Sequence, residues 1–271
     1  MADSSIAVGS YNSTLSGKLV VRYNGARIQI MNADGTNMAL VYSGGALPGN
    51  MKWSPDGSKI LFHNDIGDGN VNDIYVMNAD GTGLLRLTNN ANQNFLADWS
   101  PDGTKIVYWS MPGSGGDIWI MNTDGSGNSQ FTFTGNCSKP LWSPDGTKIL
   151  YRNTGNYVIK NSDGTGIETV ISTNQFDYIT DYSADSTKLL LRRSVDGGTS
   201  YSIYIMNADG TGATLVPNTN GSSGISRWSP DESKIIFEGF PDLFIINVDG
   251  TNLINIASSL SFNLNLGGWK P

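Results

Sequence analysis

The chain has one cysteine and one histidine in 271 residues, and no long apolar run. A single thiol, Cys137, excludes an internal disulfide and a thiolate-rich zinc site. A single imidazole, His63, excludes a histidine-rich metal centre. No stretch approaches the roughly 18 apolar residues that a spanning helix needs, so membrane insertion is not expected. Basic residues are also scarce, 17 Lys and Arg against 24 Asp and Glu, for a net charge of −7. That balance argues against bulk attraction to nucleic acid. Met1 to Gly17 has neither the basic start nor the apolar stretch of a signal peptide, and reads as an extension to the domain.

What the sequence does have is repetition. A Trp-Ser-Pro-Asp-Gly turn occurs at Trp53, Trp99 and Trp142, with degenerate copies at Tyr182 and Trp228. A second turn, of the Met-Asn-Ala-Asp-Gly-Thr type, places its Asp at 34, 80, 124, 163, 209 and 249, a mean spacing of 43 residues. Such a period belongs to four-stranded propeller blades. Between the turns lie short β-prone runs such as Lys59 to His63 and Asp73 to Asn78. Turns interrupt every run before it reaches about ten residues, which excludes a helical reading. Asp-Gly between such runs is a hairpin signal, because glycine accepts the positive φ of a tight turn.

The ends complete the count. The first repeat supplies three strands, Lys18 to Tyr23, Arg27 to Asn32 and Met38 to Tyr42, and lacks a preceding Trp strand. Phe262 to Trp269 supplies a Trp strand with no successors. Pairing the two closes a ring and removes its exposed edges. The expected fold is therefore all-β: one six-bladed β-propeller spanning residues 1–271, closed by its C-terminal strand.

The run Ala97-Asp98-Trp99-Ser100-Pro101-Asp102-Gly103-Thr104-Lys105-Ile106, followed by Asp117-Ile118-Trp119-Ile120-Met121-Asn122-Thr123-Asp124-Gly125, resembles the WD-repeat-like unit of TolB-type propellers. The resemblance extends from about Lys18 to Trp269. It implies the fold, and a choice among periplasmic interaction platforms, substrate-gating domains of peptidases and occasional lyases. Neither the N-terminal α/β domain carried by TolB nor a C-terminal hydrolase domain is expected in this stretch. The abundance of Gly, Asn, Ser and Thr with little Lys points to a periplasmic or secreted protein.

Function is sought where the repeats differ. From each turn Asp to the next repeat aromatic the spacing is 18–20 residues, but from that aromatic to the next Asp it runs from 21 to 27. The extra length falls between the second and third strands, in Asn64 to Asn72, Ser110 to Gly116 and Ser194 to Ser200. These loops leave the ring on the same face as the blade-to-blade connections, opposite the Asp-Gly turns. Variable loops on a rigid frame are where recognition usually sits.

A second signal is the column near the end of each second strand: Arg22, His63, Trp109, Arg152, Arg192 and Glu238. The three core columns before it are apolar in every repeat, whereas this column varies from blade to blade and holds three of the seven arginines. It is the candidate ligand-binding set, with Arg suited to carboxylates and Trp109 to a sugar face.

Catalytic readings fare worse. A serine nucleophile needs a base and a Gly-x-Ser-x-Gly elbow, which is absent. The Asp65 to Asp73 loop is rich in oxygen ligands but fails the EF-hand spacing, with Asp73 and Ala79 where Gly and Glu belong. The Ser-Pro-Asp-Gly turns do not match sialidase boxes, and TolB-like acidic-sugar lyases lean on several histidines. The expected function is a non-catalytic propeller, without cofactor or metal, acting as a monomer that binds a protein segment or a glycan. The alternatives are a hydrolase or lyase acting on acidic carbohydrate through the arginine column, and a structural domain of a larger surface protein.

Overall fold

The computed structural model describes residues 15–66, 71–194, 196–239, 242–256 and 264–270. They form six four-stranded antiparallel sheets. Blades two to six run in simple sequence order from the innermost strand outward: 49–86, 93–130, 137–172, 177–215 and 226–255. Blade one takes its innermost strand from the other end of the chain. Leu264–Lys270 pairs antiparallel with Lys18–Tyr23, followed by Arg27–Asn32 and Ala39–Ser43. The closure read from the sequence is thus the observed one.

The core sits between blades rather than within them. Positions two to four of every second strand are buried, as in Ile60, Leu61 and Phe62 or Leu189, Leu190 and Leu191. Alternate residues of a strand point to opposite sheet faces, so each blade serves two cores. Val20 and Ile28 of blade one pack with Ile60 and Phe62 of blade two, while Leu61 and Ile74 pack with Ile106 and Tyr108 of blade three. The last core joins Ile236, Leu243 and Ile245 of blade six to Leu19, Val21 and Leu266 of blade one. That cluster closes the ring through packing as well as strand pairing.

One face repeats the same polar knot. In blade two, Ser54 Oγ donates to Asp56 Oδ1 at 2.6 Å and accepts Lys59 N at 2.9 Å. Ser58 N donates to the same carboxylate at 3.0 Å. Asp102, Asp145, Asp185 and Asp231 sit in the same arrangement. Hydrogen bonds to an ionised carboxylate favour the charged form. They hold Asp56 down at about 2, with the Ser54 hydroxyl as the largest cause, and lower the four counterparts as well.

An unfolded chain lacks these bonds and takes up protons at ordinary aspartate values, 3.8. The stabilisation is therefore fully present above about pH 4 and is lost as pH falls toward 2. Thermal melts across that window are expected to show a steep drop in melting temperature below pH 4. A melting temperature that holds steady to pH 2 would mean the knots add no acid-sensitive stability.

The opposite face varies. Second and third strands are joined across 24–26 in blade one and 154–155 in blade four, but across 65–72, 112–116 and 195–200 in blades two, three and five. The longer connections fall in the blades where the sequence places them. The centre of the calcium-like loop, 67–70, lies outside the described residues, as do Val195 and most of the N-terminal extension.

Candidate functional site

The innermost strands line the central channel, and they are irregular. Register slips occur between Gly49 and Lys52, Phe95 and Asp98, Ser138 and Leu141, and Ile179 and Asp181. Each is a β-bulge, a device that re-aims side chains and sharpens local twist. In three blades the bulge holds a non-glycine residue at positive φ: Asn50 at 49°, Leu96 at 52° and Lys139 at 55°. For Leu and Lys this left-handed region is costly, about 1–2 kcal/mol each. All three line a cavity of about 240 Å³ at the channel mouth.

Pro140, Leu141, Ile179 and Ile225 give this cavity an apolar wall, with Lys52, Lys139, Arg192 and Arg227 set into it. The deeper charges are balanced. Lys52 Nζ lies 3.0 Å from Asp98 Oδ1, and Asp98 also accepts Trp142 N at 2.9 Å. Arg227 Nε donates to Gly267 O at 3.1 Å, and its charge favours ionised Asp181, whose carboxyl is nonetheless pushed up by burial.

Nearer the surface, cations gather on Tyr178. Lys139 Nζ stands 3.6 Å from the ring centroid, Arg192 Cζ 4.6 Å and Arg152 Cζ 5.9 Å. Burial first, then the charges of Arg152 and Arg192, press the Lys139 amine down to about 7.

Of the six column residues Arg192 lines this cavity, and cross-strand pairing shows what most of them face. In blades two to five, position five of the second strand faces the first strand just before its bulge: His63 opposite Gly49, Trp109 opposite Phe95, Arg152 opposite Ser138, Arg192 opposite Tyr178. Where a glycine lies against the side chain, the side chain lies down on it. A Cβ at Gly49 would meet His63 Nε2 at 2.6 Å, and one at Gly224 would meet Glu238 Oε2 at 1.5 Å.

The column divides into two groups. Glu238 is buried, accepts Leu266 N at 2.6 Å, and attracts Arg22. His63 lies nearby, brought down to about 4 by burial and by the Arg22 charge. Arg152 and Arg192 belong to the Tyr178 group. Arg152 donates to Gly155 O at 3.1 Å and Gln175 O at 3.0 Å, and Arg192 Nη1 donates to Ser223 O.

Trp109 reaches the loop face, but beneath its own loop. Its ring leans on Phe95 with centroids 5.5 Å apart, and a Cβ at Gly116 would sit 2.1 Å from Nε1. The ring expected to offer an open platform is half-buried. Gly224→Ala is expected to lower the melting temperature, because Glu238 must then give up its place and its hold on the closing strand. A thermal melt equal to that of the parent would show that Glu238 can move at no cost.

Reasoning from second strands missed Lys139, Tyr178 and Asn50. Their signal was available: the four residues before each repeat aromatic are Gly-Asn-Met-Lys, Phe-Leu-Ala-Asp, Ser-Lys-Pro-Leu, Tyr-Ile-Thr-Asp and Gly-Ile-Ser-Arg. No position in that set keeps its character around the ring.

A crevice of about 570 Å³ on the opposite face is larger, but it belongs to the repeat. It lies among Ser54, Pro55, Asp56, Pro101 and Asp102, and a second crevice between the turns at Ser100 and Trp142 is of the same kind. Cys137 is buried in a core cluster with Ile149 and Tyr151, and burial pushes its thiol up.

Comparison with known proteins agrees with the architecture. A family model described as TolB beta propeller domain matches residues 26–179. Among solved structures, TolB from Acinetobacter baumannii superposes with a TM-score of 0.76 at 18% identity, covering 95% of this chain and 65% of that one. The chain thus spans just under two thirds of that protein's length. A protein from Agrobacterium tumefaciens assigned as TolB gives 0.69 at 20% identity, with 87% and 89% covered. A chain of the nidogen/laminin complex gives 0.73 at 8% identity, with 92% and 96% covered. At these identities the likeness is one of fold. No curated protein matches the sequence.

Proposed function

The chain belongs to the TolB beta propeller domain family, and on that premise we propose that it is a non-catalytic binding module that seats a protein segment at the mouth of its central channel. The observation that carries this reading is the cavity itself. It is lined by the positions at which otherwise repetitive blades diverge, and by bulges that hold Leu96 and Lys139 in costly backbone conformations. Backbone strain of this kind concentrates at functional sites. Apolar walls carrying a few placed polar groups are the usual make-up of a ligand cavity.

A protein segment suits the mouth better than a glycan, since Trp109, the side chain chosen for a sugar face, lies under Gly116. An enzyme acting on acidic sugars would draw its arginines together, whereas Arg22 keeps to Glu238 and His63 while Arg152 and Arg192 keep to Tyr178. Of the six column residues, Arg192 lines the cavity, and Arg152 joins it at the Tyr178 ring. Membership of this family, together with the composition, supports a periplasmic or extracellular setting.

The test is a peptide array probed with three proteins: the parent, Ile225→Trp to plug the mouth, and Asp102→Ala on the opposite face. Captured peptides are expected to be lost with the plug and kept by the turn variant. Peptides that ignore the plug and depend on Asp102 would place binding on the other face.

A further inference from the structure

Among the described residues, the cations at the mouth have no carboxylate partner. Lys139, Arg152 and Arg192 converge on one tyrosine ring, and among the described residues no carboxylate pairs with any of them. The contrast with their surroundings is sharp. Lys52 has Asp98, Arg86 has Asp73 and Arg193 has Asp177. An acidic protein, with a net charge of −7, therefore leaves these three cations without a carboxylate partner among the described residues, two of them, Lys139 and Arg192, in the wall of the cavity.

Nor are these side chains free to relax. Carbonyls of Gly155 and Gln175 pin Arg152, and the carbonyl of Ser223 pins Arg192. Arg192 Nε is buried without any partner. Tyr178 and Tyr201 hold the Arg192 guanidinium between them, with both centroids 4.6 Å away. Lys139 comes from a strained bulge. Tyrosine faces offset part of the repulsion, yet burial first, and then the charges of Arg152 and Arg192, still disfavour the charged Lys139 amine. Like charges held together at a cost, with donors unfilled, are complementary to an anion.

We propose that the segment seated at this mouth is an acidic peptide, one carboxylate of which is received between Lys139 and Arg192 against Tyr178. This rests on the binding reading above and adds the chemistry of the ligand. The apolar wall of Leu96, Pro140, Ile179 and Ile225 beside the cations asks for an apolar neighbour to that carboxylate, which peptides supply and acidic sugars do not. The overall negative charge of the protein does not forbid the pairing. At physiological salt, repulsion from exposed charges fades over about 8 Å, while close pairs in a cavity are screened far less.

Fluorescence anisotropy with labelled short peptides tests this. The probes carry Asp or Glu beside apolar residues, and a matched set carries Asn or Gln in their place. The amide peptides are expected to bind about tenfold more weakly. Arg192→Gln and Lys139→Gln should each impose a similar loss on the acidic peptides and little on the amides, the mark of a direct pairing. Lys139→Gln is also expected to melt at or above the parent temperature, since it removes a crowded charge, so its loss of binding would not reflect unfolding.

Equal affinity for acidic and amide peptides, both abolished by Ile225→Trp, would overturn the acidic ligand and leave the mouth in place. Peptides indifferent to that plug, or no binding by either set, would overturn both readings. Capture of oligogalacturonate instead of any peptide, lost in Arg192→Gln, would overturn the assignment to a peptide.

Discussion

Removal of Phe262–Pro271 is expected to abolish cooperative folding of the whole ring. The described part of this segment, Leu264–Lys270, is the innermost strand of blade one, paired from Lys18 with Lys270 to Tyr23 with Leu264. It is also the joint between both ends of the ring. Leu266 is buried in the core shared with blade six, and its N–H is held by Glu238. Arg227 donates to Gly267 O at 3.1 Å, and Lys270 Nζ to Gly57 O of blade two at 2.7 Å. A Cβ at Gly267 would meet Met51 Cβ at 2.6 Å, so the strand lies directly on its neighbour.

Deletion would strip Leu266 from beside Leu19 and Val21 in the core that closes the ring and open a pairing edge, an aggregation hazard. The loss should exceed the roughly 4–5 kcal/mol that marks an exceptional point mutation. Size-exclusion chromatography and thermal melts decide it. A monomer with the parent melting temperature would contradict the shared blade.

Asp177→Ala is expected to cost about 3 kcal/mol, the lower end of the range for breaking a buried ion pair. Asp177 is fully buried. It accepts Arg193 Nε at 2.6 Å and Nη2 at 2.7 Å, and Ser172 Oγ at 2.6 Å. Hydrogen bonds to this carboxylate raise the Arg193 guanidinium further. Truncating the acid leaves the guanidinium partly buried and unpaired, whereas removing both charges is far less costly. Denaturant unfolding of Asp177→Ala, Arg193→Met and the double variant should show recovery in the last. Additive losses would mean that the two groups act independently.

The architecture was legible because every blade repeats two turn sentences whose chemistry is local. Ser54 with Asp56, and Asp80 with Thr82, make their bonds within a few residues, so spacing alone reveals the strands between them. Closure was legible for the same reason, as an unmatched Trp269 at one end and a missing first strand at the other.

The mouth was only half legible. Position five of the second strands stood out as a variable column after three apolar ones, and one of its members, Arg192, lines the cavity. Its chemistry depends on what lies opposite, which spacing cannot convey. Glycines against His63 and Glu238 let those side chains lie flat, and Arg192 meets Tyr178 across the strands. Lys139 was hidden for another reason. A bulge, invisible as a repeat feature, is what turns it toward Tyr178. Trp109 was misjudged because the folding of its own loop, ending in Gly116, determines its exposure.

The most direct measurement of the central claim is hydrogen–deuterium exchange on the protein with and without a captured peptide. Seating at the mouth predicts added protection in the innermost strands, Gly49–Trp53, Gln93–Trp99, Cys137–Trp142 and Asp177–Tyr182, with none at the Asp-Gly turns. Protection confined to those turns or to the outermost strands, with the innermost strands unchanged, would contradict it.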